Sequence, residues 1–156
     1  VARRALERAA AGPSGALEAA ESVLVAAERY RKGLTESLKE ELAPFLDERG
    51  RPEEAYRGAV RRLEERHKRR VRRAERDYVD WVLLAASSLL RDRVVAAVGG
   101  DRGLLMNPDI APVAEPIPAT TAGLAGIEEA RAALAEELNL NVRLVLEQAF
   151  LRLGSS

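Results

Sequence analysis

Apolar residues recur every three or four positions between residues 52 and 98, and this is the longest regular pattern in the chain. Such spacing places the residues along one face of an α-helix. Pro52 and the two glutamates after it suit a first helical turn, and Gly99-Gly100 suits a helix end. We therefore predict one helix over 52–98 with this apolar stripe: Tyr56, Val60, Leu63, Val71, Ala74, Tyr78, Trp81, Ala85 and Leu89.

The two halves of the predicted helix differ in composition. Arginine dominates residues 57–76, whereas residues 78–98 are apolar on most sides. A helix that is apolar nearly all round is buried inside a protein. We therefore expect 78–98 to be the central rod of a helical bundle. The arginine-rich half is expected to be one arm of a long helical hairpin that protrudes from this bundle.

A second apolar pattern predicts the other arm of the hairpin. It runs from about Gly15 to Leu42, with Ser14 as its cap, and its apolar residues are three, four or seven positions apart. The connection from Pro44 to Pro52 is short and rich in turn-forming residues. A short connection makes two long helices antiparallel neighbours.

Shorter helices are predicted in the rest of the chain. Residues 2–11 form one helix, and two more follow the irregular stretch 99–121, capped by Thr120 or Thr121 and by Asn141, with Asn139 at the interruption between them. The fold class is therefore all-α: a single helical domain over 1–156, with the hairpin arm at about 17–76 and the bundle at about 77–153. The irregular stretch should insert its apolar residues into the bundle surface: Leu104, Leu105, Met106, Ile110, Val113 and Ile117.

Composition narrows the classes of function. The 25 cationic and 25 anionic side chains cancel, so the overall charge indicates neither nucleic acid nor a membrane surface as a partner. The chain has no cysteine, which excludes disulfides and thiol nucleophiles and fits a reducing compartment. The apolar run 82–90 is too short to span a bilayer. We therefore predict a cytoplasmic protein. Because Val1 already stands in a helical pattern, we also predict that the chain is a piece of a larger protein.

No group of residues predicts catalysis. His67 is the single histidine, and neither a nucleophile nor an orienting partner accompanies it, so we expect it to be exposed or in the seam of the hairpin. The carboxylate pairs are adjacent in sequence, and adjacent side chains do not face each other on a helix: Glu40-Glu41, Glu53-Glu54 and Glu128-Glu129. The stretch 99–103 lacks the strand and lysine of a phosphate-binding loop. No catalytic, cofactor-binding or metal-binding residue is predicted.

The strongest local signal is the basic segment Arg57–Arg76, for which two interpretations stay open. Basic helices bind nucleic-acid phosphates, but these arginines can also pair with acidic residues of the neighbouring helix: Glu28, Glu36, Glu40 and Glu41. The pairing is favoured because the total charge cancels. Tyr78 and Trp81 are expected to be core anchors rather than platforms for stacking bases. The candidate basic surface consists of Arg62, Arg66, Arg69, Arg70, Arg72, Arg73 and Arg76.

Two stretches resemble the collar domains of bacterial DNA polymerase III clamp-loader subunits. The run LEERHKRRVRRAERDYVDWVLLAASSLLRDRVV is similar to the collar helix of delta-prime subunits of high-GC Gram-positive bacteria, at these positions: Leu63, Glu64, Glu65, Arg66, Lys68, Arg69, Arg70, Arg73, Arg76, Asp77, Arg91 and Asp92. The ending IEEARAALAEELNLNVRLVLEQAFLRL resembles the last two helices of clamp-loader subunits, at Ile127, Arg131, Leu134, Asn139, Asn141, Leu144, Leu146, Glu147 and Leu153.

The resemblance covers roughly residues 17–153 and implies a function. Subunits of this family carry two AAA+ modules ahead of a helical collar, and five collars form the ring that holds the loader together. The resemblance therefore implies an assembly module that supports loading of the sliding clamp in DNA replication, with other clamp-loader subunits as its partners. It implies no cofactor and no chemistry in this chain, although the parent complex, the DNA polymerase III holoenzyme, is a DNA-directed DNA polymerase.

Three alternatives stay open. The first is a nucleic-acid-binding helical hairpin that uses the segment Arg57–Arg76. The second, within the same family, is the collar of a delta or gamma/tau subunit. The third and weakest is an α-helical enzyme with a site in the stretch 99–121, where no general base or nucleophile stands out.

Overall fold

The computed structural model describes residues 1–110, 116–136 and 140–154. Most of these residues lie in helices: α1 (Ala2–Ala9), α2 (Pro13–Leu42), α3 (Arg57–Ala97), α4 (Ile117–Glu136) and α5 (Val142–Gly154). Short 3₁₀ turns cover Ala43–Phe45, Glu54–Tyr56 and Arg102–Leu104. Within the described ranges there is no strand, only an isolated bridge between Leu46 and Pro52. The predicted all-α helical fold is confirmed.

The chain divides into two compact units. The bundle unit comprises Val1–Val25 and Val79–Ser156, and the hairpin unit comprises Ala26–Tyr78. That both belong to one domain, with an arm at about 17–76 and a bundle at about 77–153, stays a prediction. Among the helices of the described ranges, none is both long and apolar enough to cross a membrane.

In the hairpin unit, the end of α2 runs antiparallel to the beginning of α3. The ring centroids of Tyr30 and Tyr78 are 5.3 Å apart, and Glu41 Oε2 is 3.0 Å from His67 Nε2. A step of eleven residues forward along α2 therefore corresponds to eleven residues back along α3. This register confirms the antiparallel arrangement that the short connection predicted.

The connection between these two helices is a tight loop organised by Asp47. The Oδ1 atom of Asp47 accepts hydrogen bonds from backbone N–H groups two and four residues ahead, at 2.9 and 2.8 Å, and Gly50 supplies a φ of 70°. Pro52 pairs with Leu46 in the isolated bridge and is therefore not helical. The predicted helix start at Pro52 is wrong, and α3 begins at Arg57.

The bundle unit closes around one face of α3. The buried residues of this face are three or four positions apart: Val79, Val82, Leu83, Ala86 and Leu90. The other helices of the unit also bury apolar side chains in this core: Leu6, Val23, Ile127, Leu146 and Phe150. The bundle core is thus assembled from segments at both ends of the chain.

Helices α4 and α5 pack closely because two glycines of α4 lie at their contact. A β-carbon on Gly123 would lie 2.1 Å from Leu153 Cδ2, and one on Gly126 would lie 2.9 Å from Arg152 Cδ. Both glycines are buried. Any side chain at these positions would push the two helices apart or force Leu153 and Arg152 to move.

Two helices begin earlier than their predicted caps. Helix α2 begins at Pro13, whose fixed φ suits the first helical position, so Ser14 is not its cap. Helix α4 begins at Ile117, and the hydroxyls of Thr120 and Thr121 donate to backbone carbonyls one turn earlier. The predicted caps at these two places are wrong, because the prolines at the helix starts fix φ at a helical value and the helices begin there.

Two other helix ends follow the prediction. The backbone N–H of Leu144 donates to Asn141 Oδ1 at 3.2 Å, which caps α5. The N–H groups of Gly99 and Gly100 donate to carbonyls of the last turn of α3, at 3.1 and 2.8 Å. Asn139 lies outside the described residues.

The segment after α3 is attached through a buried carboxylate. Asp92 is only 3% exposed, and its oxygens accept hydrogen bonds from the backbone N–H groups of Met106 and Asn107 at 2.8 and 2.7 Å. The side-chain Nδ2 of Asn107 donates a third bond at 2.9 Å. Burial by itself would raise the pKa of Asp92, but these three bonds and the charge of Arg91 outweigh it and lower that pKa.

The apolar residues of this segment contribute less to its attachment than predicted. Leu104, Met106 and Ile117 are exposed, so their predicted insertion into the bundle surface is wrong. Leu105 and Ile110 are half-buried. Val113 lies outside the described residues.

Candidate functional site

Arginines form a continuous stripe along α3 in the hairpin unit. Five of them follow each other at spacings of four and three residues, so they share one helical face: Arg62, Arg66, Arg69, Arg73 and Arg76. We call this set the arginine stripe. The remaining candidates, Arg70 and Arg72, lie about 80° to either side of it at 3.6 residues per turn. The buried residues of this part of α3, Val60, His67 and Ala74, lie on the opposite side.

The arginine stripe has no acidic partner within the described ranges. The ion pairs of this basic segment are formed by residues outside the stripe: Arg57 with Glu54 at 4.0 Å and Arg61 with Glu65 at 3.2 Å. All seven candidate arginines are exposed except Arg76, which is half-buried. A guanidinium group without a carboxylate partner keeps its five N–H donors available to water or to a ligand.

Three of the four acidic residues that were expected to neutralise these arginines have other partners. Glu28 pairs with Lys32 at 2.9 Å and Glu36 pairs with Lys39 at 2.9 Å, both within α2. The hydrogen bond and the charge of Lys32 lower the pKa of Glu28. Glu41 is bound to His67. The predicted pairing between the arginines of α3 and the acidic residues of α2 is therefore wrong in the described structure.

His67 lies in the seam of the hairpin, which is one of the two places predicted for it. Its side chain is 2% exposed. A carboxylate only accepts hydrogen bonds, so Nε2 donates to Glu41. The other ring nitrogen, Nδ1, is buried and has no hydrogen-bond partner. This environment fits a structural histidine that closes the seam.

An apolar groove runs beside the first part of the arginine stripe. Its volume is about 500 Å³. Phe45, Val60 and Leu63 supply apolar lining, and Arg62, Arg66 and Arg69 supply cationic lining. Arg73 and Arg76 do not line it. The groove therefore accompanies only part of the stripe.

The bundle unit exposes an apolar face of α3. Trp81 is 53% exposed and Leu84 is 48% exposed, and Ala85 beside them is exposed as well. We call these three residues the apolar face. The prediction that Trp81 is a core anchor is wrong, because the bundle core covers only the other side of the helix. Tyr78, in the hairpin unit, is half-buried, and its ring centroid is 5.3 Å from that of Tyr30.

A second surface of the bundle unit combines apolar and charged residues. Arg143 of α5 pairs with Glu21 of α2 at 2.6 Å, and this hydrogen bond raises the pKa of Arg143. Leu144, which follows Arg143 in sequence, is exposed, as are Leu17 and Val25, which come four residues before and after Glu21 on α2. The exposed residues of this region thus include both charged and apolar side chains.

The paired carboxylates do not act on a common atom. Glu128 accepts hydrogen bonds from Ser87 and Arg131, whereas Glu129 accepts one from Arg152. Arg131 also donates to Asp80 at 2.9 Å, which ties α4 to α3. In the described part of the chain, no three residues among His, Cys, Asp and Glu are placed to hold a metal ion.

Two features were missed by reasoning from the sequence. The apolar face was not predicted because we assumed that a helix with apolar residues on most sides is buried on all of them. The signal that could have revealed it was the number of apolar positions, which is larger than one buried stripe requires. The Asp92 anchor had no local signal, since its partners lie 14 and 15 residues away.

We compared the chain with models of protein families, with curated proteins and with solved structures. It matches none of them.

Proposed function

We propose that this chain is an assembly module: a collar of the kind found in bacterial clamp-loader subunits, acting in the cytoplasm during DNA replication. The observation that carries the proposal is the apolar face of α3, where Trp81 is 53% and Leu84 is 48% exposed. Large apolar side chains grouped on one helical face are typical of protein interfaces, and tryptophan is among the residues that contribute most to binding.

The composition of the exposed surface suits a helical partner. Trp81, Leu84 and Ala85 stand at the spacing with which one helix packs against another. The exposed Leu144, which follows the ion-paired Arg143 in sequence, offers a second contact of the same type. Interfaces usually combine an apolar centre with a polar rim.

The resemblance to clamp-loader collars is also compatible with the roles of matched residues. Ile127, Leu134 and Leu146 are buried in the bundle unit, Asn141 caps α5, and Arg131 links α4 to Asp80. In the proposed role, the chain holds neighbouring subunits together and carries no chemistry of its own. The partners are the collars of the other clamp-loader subunits, and the subunit type is delta-prime.

Reconstitution tests this proposal. Purified delta and gamma/tau subunits are mixed with the 156-residue chain, and the mass of the assembly is measured by light scattering after size exclusion. We expect the chain to join an assembly that lacks delta-prime and to be excluded from one that already contains it. Failure of the chain to join any of these subunits contradicts the proposal, and entry into an assembly that lacks only delta contradicts the subunit type.

A matched pair of variants locates the interface. The double substitution Trp81→Ser with Leu84→Ser removes two exposed apolar side chains from the apolar face, and Leu104→Ser with Met106→Ser removes two from another exposed site. We expect the first variant to lose its place in the assembly and the second to keep it. Equal behaviour of the two variants would show that the apolar face is not the interface.

A further inference from the structure

We propose that the arginine stripe of α3 binds the sugar–phosphate backbone of duplex nucleic acid without reading its sequence. This inference is independent of the assembly role, because it concerns the hairpin unit and a different class of partner. Its basis is a one-sided set of guanidinium groups that no carboxylate neutralises within the described ranges.

The length and spacing of the stripe suit a row of phosphates. From Arg62 to Arg76 the helix rises about 21 Å, in steps of about 6 and 4.5 Å between successive arginines. Duplex DNA carries one negative charge for about every 1.7 Å of its axis, so each guanidinium of the stripe finds a phosphate within reach of its flexible side chain. Arginine also binds phosphate through two parallel hydrogen bonds.

The charge of the hairpin unit supports an anionic partner. Residues 57–76 carry ten cationic side chains and three glutamates. Although the whole chain has no net charge, residues 57–76 therefore carry a strong excess of positive charge. Three acidic residues lie next to the stripe or continue its spacing: Glu65, which is paired with Arg61, Asp77, which follows Arg76 in sequence, and Asp80, which is paired with Arg131. None of them forms an ion pair with an arginine of the stripe in the described part of the chain.

Two other anionic partners fit the surface less well. Single-stranded nucleic acid is usually held by aromatic side chains as well as by cations, but in this unit the tilted rings of Tyr30 and Tyr78 contact each other and Phe45 contacts Tyr56. None of these rings belongs to the stripe. An acidic amphipathic peptide would use the apolar groove, which reaches only Arg62, Arg66 and Arg69. A duplex backbone engages the whole length.

The test measures binding of the 156-residue chain to a fluorescein-labelled DNA duplex of about 24 base pairs by anisotropy, at salt concentrations from about 50 to 200 mM. If all five arginines contact phosphates, the slope of log K against log salt concentration is about −4.5, and affinity falls about 500-fold over this range. A second duplex of unrelated sequence should bind equally well.

A stripe variant and a matched control isolate the surface. Arg66→Gln with Arg69→Gln and Arg73→Gln removes three charges from the stripe, and the slope should fall to about −1.8, or a 12-fold loss of affinity over the same range. Arg57→Gln with Arg61→Gln and Lys68→Gln removes three charges from the same helix outside the stripe, and the slope should change by less than about one. Circular dichroism checks that both variants keep their helices.

Four results would overturn the inference. The first is no binding at about 50 mM salt. The second is an equal effect of the stripe variant and its control. The third is tighter binding to oligothymidine of the same length than to the duplex. The fourth is equally effective competition by a polyglutamate peptide, which would assign the surface to acidic proteins.

Discussion

The Asp92 anchor allows the sharpest stability prediction. Asp92→Asn keeps the size of the side chain but removes its charge and one of its two accepting oxygens. Three hydrogen bonds, of 2.7 to 2.9 Å, then lose all or part of their acceptor. A bond to a charged group contributes about 1.5–3 kcal/mol. Because Met106 is exposed and Asn107 is half-buried, water can replace part of this.

We therefore expect Asp92→Asn to lower the free energy of unfolding by about 2–3 kcal/mol at pH 7. For a chain of this length such a loss corresponds to a decrease in Tm of about 5–10 °C. Urea denaturation followed by circular dichroism measures it. Asp109→Asn is the control in the same segment, since Asp109 is exposed, and its effect should stay within about 0.5 kcal/mol.

The same pair of proteins gives a pH test. The pKa of Asp92 is lowered in the folded state, so its stabilisation is complete above the ordinary pKa of about 3.9 and is lost as the pH falls through the lower folded value. The difference between the wild type and Asp92→Asn should be constant from pH 7 to about 5 and should shrink below about pH 4. An unchanged difference at pH 3, or no difference at pH 7, would refute the role of this carboxylate.

Further substitutions test the packing by urea denaturation at pH 7. Gly123→Ala should lower the free energy of unfolding by about 1–2 kcal/mol, because its methyl group meets Leu153; Gly33→Ala, in open space on α2, should raise it by up to about 1 kcal/mol. Trp81→Ser should cost less than about 1 kcal/mol, against about 3–5 kcal/mol for a core tryptophan. His67→Leu should change stability little or raise it by up to about 1 kcal/mol, since it removes a buried nitrogen without a partner.

Each of these expectations has an outcome that contradicts it. Equal effects of the two glycine substitutions would show that α4 and α5 have room for a methyl group at Gly123. A loss of about 3 kcal/mol or more for Trp81→Ser would place the indole in a core. A loss of more than about 1 kcal/mol for His67→Leu would mean that the imidazole is needed for its hydrogen bond to Glu41 and not only for its volume.

The local chemistry of the chain predicted the helices and several of their ends. The absence of proline and glycine over 59–98 allowed one continuous helix, which the structure shows as α3. Gly99-Gly100 and Asn141 ended and began helices as predicted, because these signals act on the adjacent backbone. Where two signals competed, as at Pro13 and Ser14, the residue that fixes φ prevailed.

The candidate surfaces, too, were predicted in part from local sequence and decided in part by the tertiary structure. The spacing of Arg62, Arg66, Arg69, Arg73 and Arg76 in the sequence already placed them on one helical face. Only the tertiary structure decided that, among the described residues, they have no acidic partner, since a glutamate can pair either with a lysine one turn away or with an arginine on another helix. Glu28 and Glu36 pair with the nearby lysine, because side chains three or four residues apart on one helix are already neighbours.

The sequence by itself determined the helical class, the antiparallel hairpin and the identity of the basic residues, because these depend on neighbours within a few positions of the chain. The tertiary structure alone decided which side of α3 is covered at Trp81 and what holds the segment around Met106 to Asp92. Periodicity states which residues share a face, but burial depends on which distant segment packs against that face.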